Sequence, residues 1–306
     1  MTGASLPAFA WVQAASAIVI AMTITCQAER RTAAAVWLGG DVHLGARGSS
    51  DLSAITAMMG GAAGVVNLEG PVVPGAAGSH TEDGRVFLAN PADAGERLRA
   101  AGVVAASVAN NHAADAGADG EEATIRSLRQ GHVTPIGGSA GAATIELPGA
   151  TFRFAAHTVG EAGLAATLGT ELAGEGPRVV AFHTEDRPSY LPYPATESAV
   201  DAAIAAGADV VVVHGSHRVG AVERRGNAVI AWGLGNLVFD CPCTRDTEGL
   251  VLRIELSPGY PASILPIRAG LDGEPAVPAP DGVGILDLVE GLGRARLLRR
   301  GEFAVF

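Results

Sequence analysis

From Ala33 onward the chain alternates short apolar runs with longer amphipathic stretches, and nearly every apolar run ends in a cluster of His, Asp, Asn or Glu. Runs this short and this apolar predict strands buried on both faces, which places the chain in the α/β class. The predicted strands are 36–39, 64–67, 103–109, 152–156, 179–183, 210–214, 229–232 and 250–256, and the predicted helices are 92–101, 119–130, 196–206 and 283–292.

Five strand ends carry chemistry: Asp41-x-His43, Asn67-x-Glu69, Asn110-Asn111-His112, His183-x-Glu185 and His214-x-x-His217. In open α/β sheets the crevice beyond the carboxyl ends of the strands is where sites are built. Residues two apart on an extended strand project to the same side, so Asp41 and His43 could reach one cation together, as could Asn67 and Glu69. Carboxylate, imidazole and amide oxygen without thiolate suit Mn, Fe, Zn or Mg more than copper or an iron-sulfur cluster. Two such ions, about 3.5 to 4 Å apart, activate water and stabilise an in-line displacement. Each motif alone is a weak signal. Taken together, five of the eight histidines fall in these clusters, while His80, His132 and His157 lie outside and read as ordinary structural residues.

Charge narrows the chemistry further. The 306 residues carry a formal charge of −11 and no lysine, so all 21 fixed cations are arginines. This excludes a phosphate-binding loop lysine, a lysine Schiff base and a kinase strand lysine. An acidic chain with scattered cations also argues against a nucleic-acid partner, whose affinity comes from neutralising phosphates. An anionic substrate must then be met by arginine, backbone N–H groups or metal. Three cysteines, Cys26, Cys241 and Cys243, match no zinc spacing, and the Cys241-Pro242-Cys243 pair reads either as a local disulfide or as two loop thiols.

Residues 6–28 form a run without charge, followed by Glu29, Arg30 and Arg31. Its length fits a signal peptide or one membrane-spanning helix, with lipidation at Cys26 or an ordinary buried helix as alternatives. The expected organisation is therefore a leader or anchor over 1–32, a catalytic-type domain over 33–270, and a Pro- and Gly-rich linker with a docking C-terminal helix over 271–306. Within the tail, the Leu- and Arg-rich stretch 292–300 reads as an amphipathic packing helix. The leader implies an extracytoplasmic protein, membrane-anchored or secreted; a misassigned start would leave it cytoplasmic.

In order and spacing, Gly40-Asp41-Val42-His43-Leu44-Gly45, Asn67-Leu68-Glu69-Gly70-Pro71, Ala109-Asn110-Asn111-His112-Ala113 with Asp115 and Gly117, His214-Gly215-Ser216-His217 leading to Glu223, and Leu234-Gly235-Asn236 with Phe239 resemble the CapA capsule-synthesis family. These poly-gamma-glutamate biosynthesis proteins are related to the calcineurin-like metallophosphoesterases. The likeness runs over residues 36–268.

The resemblance implies a metallophosphoesterase-like α/β sandwich with two divalent ions at the strand ends. By position, Asp41, His43, Glu69, Asn111, His183, His214 and His217 would be the metal ligands, although the family more often has Met at position 43. His112 would be the general acid or transition-state stabiliser, and Asn236 would hold the site loop. Arg47 and Arg218, beside the first and last clusters, are the candidate substrate contacts. The role of Glu185 is open, because the family's Trp-Gly after the His is here Thr184-Glu185. The implied function is a metal-dependent hydrolase acting on an anionic polymer, such as poly-gamma-glutamate or a capsule intermediate. The alternative from another class is a non-catalytic accessory subunit of a membrane polymer synthase or export complex.

Overall fold

The computed structural model describes residues 34–185 and 188–306. The expected leader or anchor over 1–32 lies outside the described residues. In chain order the strands are β1 (Ala35–His43), β2 (Ala63–Leu68), β3 (Gly78–Glu82), β4 (Arg85–Ala89), β5 (Val103–Ser107), β6 (Thr134–Ile136), β7 (Ala143–Leu147), β8 (Ala150–Thr158), β9 (Arg178–His183) and β10 (Val210–His214). They continue as β11 (Val222–Arg225), β12 (Ala228–Ala231), β13 (Asn236–Phe239), β14 (Glu248–Glu255), β15 (Ala262–Arg268), β16 (Gly270–Leu271), β17 (Val277–Pro278), β18 (Leu298–Arg300) and β19 (Phe303–Val305). The helices are α1 (Ser53–Met58), α2 (Ala94–Ala100), α3 (Gly117–Gln130), α4 (Leu164–Glu171), α5 (Pro194–Ala205) and α6 (Gly282–Gly291).

Two mixed sheets face each other. The larger runs β18-β19-β15-β14-β1-β2-β5-β6, with β13 also paired to β1, and the smaller runs β11-β12-β10-β9-β8-β7. Side-chain alternation explains the arrangement. Val36 and Leu38 of β1, Val179 and Ala181 of β9, and Val210 and Val212 of β10 share the core between the sheets. Their neighbours point outward: Trp37 packs under α1, α2 and α3 with Ile55, Leu98 and Leu128, and Val180, Phe182, Val211 and Val213 pack under α4 and α5 with Leu168 and Val200. A strand covered on both sides has no polar face to show, which is why these segments read as unbroken apolar runs. The result is an α/β sandwich. Gly64 makes one layer possible: it pairs with Trp37 across β1 and β2, and a Cβ there would sit 2.2 Å from the indole.

The tail departs from its reading. Residues 270–282, read as a surface linker, supply β16, paired with β13, and β17, paired with β15. The stretch 292–300, read as a helix, ends instead in β18, which pairs with β19 at the sheet edge. Leucine and arginine carry no strong preference against a strand, so edge pairing decides the conformation.

Candidate metal centre

Parallel pairing brings the strand ends together. The register sets Asp41 beside Asn67 and Asn236, and His183 beside His214 on the other sheet. Where the two sheets meet, Asn67 Nδ2 donates to Asp41 Oδ1 at 2.9 Å and lies 3.3 Å from His183 Nδ1. Asn110 fixes Asn67 in turn, through Nδ2 to Asn67 Oδ1 at 3.3 Å and to the Leu68 carbonyl at 2.9 Å.

Asp41, Glu69 and His183, all buried, each offer one donor atom within 4.8 Å of the others. His214 Nδ1 stands 3.3 Å from Asp41 Oδ1, and His217 spans the pair, with Nδ1 3.5 Å from Asp41 Oδ2 and Nε2 3.7 Å from Glu69 Oε1. Burial alone would raise the Asp41 carboxyl, but the imidazoles of His214, His217 and His183 outweigh it and hold Asp41 well below the usual carboxylate range. Burial pushes His183 down to about 3, so its ring is neutral. Among the described residues its buried Nε2 has no hydrogen-bond partner.

Two carboxylates in a dry interior are costly unless paired or coordinated. An all-oxygen-and-nitrogen set of this kind fits a hard or borderline divalent cation. Gly215 completes the floor: its N–H donates to Asp41 Oδ2 at 3.1 Å, its φ is +90°, and a Cβ would lie 2.8 Å from His183 Nε2. His217 holds φ 52°, a region seldom occupied by non-glycine residues and often found at functional sites.

His112 stands over this set. Its Nδ1 donates to Asp115 Oδ2 at 2.7 Å and its Nε2 lies 3.9 Å from Glu69 Oε1. Above the cluster opens a cavity of about 870 Å³, whose lining includes Glu69, Asn111, His112, His217 and Arg218.

The family model for bacterial capsule synthesis protein, PGA_cap, matches residues 40–177 and 170–241, the span that carries every one of these residues. The chain belongs to this family. No curated protein matches it. Among solved structures, a hypothetical protein from Thermus thermophilus aligns at TM-score 0.52 and 15% identity, over 76% of this chain and 97% of that one. A novel phosphatase from Mycoplasma pneumoniae aligns at TM-score 0.53 and 11% identity, over 79% and 95%. At these identities the likeness is one of fold, and the fold of this capsule-synthesis chain is metallophosphoesterase-like.

Not every residue singled out in the sequence joins the cluster. His43 does not: the donors that converge are those of Asp41, Glu69 and His183. The His43 ring packs 5.6 Å from Phe239, fully buried. Burial pushes it down to about 4, only partly offset by the nearby Ala89 and Gly78 backbone and the Asp240 carboxylate. Arg47 is held by Asp240 and Asp272, at 3.0 and 3.2 Å, away from the cavity lining. Arg218 lines the cavity and pairs with Asp246 at 2.8 Å. Asn236 accepts from His217 Nδ1 at 2.9 Å.

The structure gives roles to residues that the sequence reading left without one. Asp115 orients His112, and the spacing of three in Asn-Asn-His-x-x-Asp was its signal. Arg85 and Arg245 also line the cavity, but they come from segments with no strand-end motif.

Proposed function

We propose that the chain is a metal-dependent hydrolase acting on an anionic polymer of the poly-gamma-glutamate or capsule type, or on its lipid or phosphoester intermediate, outside the cytoplasmic membrane. One observation carries the reading: Asp41, Glu69 and His183 converge to within 4.8 Å, buried, and Glu69 lines a cavity that His112 and His217 also line. Asp41, Glu69 and His183 would hold one divalent ion; His214 and His217 stand beside Asp41, Asn111 lines the cavity with Glu69, and these three would supply the ligands of a second ion. Bound there, divalent metal supplies Lewis-acid charge and acidifies water.

The chain's own groups do the rest. Asp115 accepts a hydrogen bond from His112 Nδ1–H and so orients the ring, and when the ring is protonated on both nitrogens Nε2–H is the proton donor directed at the reacting group. Arg218 offers its guanidinium to an anionic group of the polymer. The cavity is large enough for several units of a chain rather than a single phosphate. Export rests on residues 6–28; among the described residues no helix is long and apolar enough to cross a membrane.

The test is hydrolysis of bis(4-nitrophenyl) phosphate and of poly-gamma-glutamate by metal-stripped protein reloaded with Mn²⁺, Fe²⁺, Zn²⁺ or Mg²⁺. Asp41→Ala and His217→Ala should abolish both turnover and the metal-induced rise in Tm. Wild-type turnover and Tm in both variants would sink the proposal. Complementation of a polymer-deficient strain by His112→Ala would favour an accessory subunit instead.

A further inference from the structure

The sequence left Cys241-Pro242-Cys243 open between a disulfide and two thiols; in the fold they form a disulfide with Cα atoms 5.2 Å apart. The two sulfurs sit in different surroundings. Cys241 is buried against Leu88 and Phe239, whereas Cys243 is exposed and lines the mouth of the metal cavity. The Cys243 N–H donates to Cys241 Sγ at 3.2 Å.

Two paths lead from this pair to His217. In one, the next residues turn back through Asp246 N to Thr244 Oγ1 at 3.1 Å, the Asp246 carbonyl accepts from Asn236 Nδ2 at 3.3 Å, and Asn236 Oδ1 accepts from His217 at 2.9 Å. In the other, Cys241 follows Phe239 by two residues and bonds its carbonyl at 3.0 Å, and that ring packs edge-on to His217 at 5.0 Å.

We propose that the Cys241–Cys243 disulfide is a thiol-exchange site, attacked at Cys243 by a dithiol, whose reduction releases the 241–246 loop and loosens the hold on His217. The incoming thiolate bonds to Cys243 Sγ and breaks the S–S bond. Cys241 leaves as a thiolate, received by the Cys243 N–H already directed at it. The reductant's second thiolate then displaces Cys243, so the dithiol is oxidised to a disulfide and the protein pair gains two electrons and two protons. Access favours this order, since only Cys243 meets solvent.

The exchange itself stands apart from the metal reading; its effect on metal affinity rests on it. The test uses full-length protein in a Cys26→Ser background, treated with dithiothreitol without denaturant, desalted anaerobically and alkylated. Intact mass should show two alkyl groups after treatment and none before. Removing an outer partner of a metal-ligating histidine typically weakens affinity 10- to 100-fold, so Mn²⁺ binding should weaken by about 10-fold and recover on reoxidation. Cys241→Ser/Cys243→Ser should bind Mn²⁺ as the reduced protein does, with or without dithiol. The His217 ring resonances in NMR should move on reduction. A disulfide that opens only when the protein unfolds overturns the proposal, as does opening with His217 and Mn²⁺ affinity both unmoved. Failure of the oxidised protein to bind Mn²⁺ would refute the metal reading alone, and the labelling and the His217 resonances then decide this one.

Discussion

Asp115 reaches the reaction only through His112, and a substitution there should show it. Its carboxylate is 1% exposed and takes three donors: His112 Nδ1 at 2.7 Å, Leu88 N at 2.8 Å and Arg85 Nη2 at 2.9 Å. Asp115→Ala strands the Leu88 N–H, at about 1 to 2 kcal/mol. The Arg85 pair adds at most about 1 kcal/mol, because that side chain is 58% exposed. With the lost imidazole bond, the expected destabilisation is about 2 to 3 kcal/mol, which leaves folded enzyme to assay at low temperature. General acid catalysis contributes about 10²- to 10⁴-fold, and an unanchored imidazole should forfeit about 10²-fold of it in kcat. The assay is Mn²⁺-supported hydrolysis of bis(4-nitrophenyl) phosphate in a double-mutant cycle with His112→Ala. In the His112→Ala background Asp115→Ala should cost less than about 3-fold, since the group it positions is gone. Asp115→Asn, which keeps a neutral acceptor, should fall between. An equal loss in both backgrounds would refute the positioning role, as would an unchanged kcat in Asp115→Ala.

Three further outcomes are expected. His43→Met, which replaces a fully buried imidazole with an apolar side chain, should raise Tm and leave Mn²⁺ affinity unchanged; a tenfold loss of affinity would return His43 to the ligand set. The same variant should flatten the acid side of the stability curve. The folded pKa of His43 is about 4 against 6.5 when unfolded, so the wild type is fully stabilised above pH 6.5 and loses roughly 3 kcal/mol as pH falls toward 4. Glu223 accepts from Trp232 Nε1, Arg225 Nε and Arg294 Nη1 at 2.8, 2.8 and 3.1 Å; Glu223→Gln should cost about 1 to 2 kcal/mol and speed hydrogen exchange in α6 and β18. Burial would raise that carboxyl, but its arginine and indole donors hold it below its usual value, so the Glu223 contribution is present above pH 4.5 and lost as pH falls below it. Gly215→Ala meets the Thr184 carbonyl at 2.2 Å and His183 Nε2 at 2.8 Å with φ at +90°; it should lower Tm and abolish metal-induced stabilisation together, by differential scanning fluorimetry with and without Mn²⁺.

What was legible follows from how each segment meets its surroundings. β10 was read at its observed limits, Val210–His214, because a strand covered on both faces must be apolar throughout and can end only where solvent or a site begins. The β3 and β4 hairpin went unread although Asp83-Gly84 is a hairpin turn signal, since Leu88 is the one fully buried residue of its strands and they lack the alternation a half-buried pair would show. His43 misled because alternation fixes only the face a side chain takes, and there the His43 ring packs against Phe239 instead of joining the donors around Asp41. The arginines show the same limit. Arg47 was chosen for its nearness in sequence to Asp41, yet Asp240 and Asp272 hold it elsewhere. Arg85, Arg218 and Arg245 come together at the cavity from positions up to 160 residues apart, each in a pair with an aspartate, Asp115, Asp246 or Asp272. The Arg245–Asp272 pair is solvent-exposed and of little worth, so an incoming anion displaces that aspartate at small cost. A chain without lysine can thus present cations at its cavity while remaining acidic elsewhere: the counter-charges are built in, and only an anionic ligand tells these arginines from the rest.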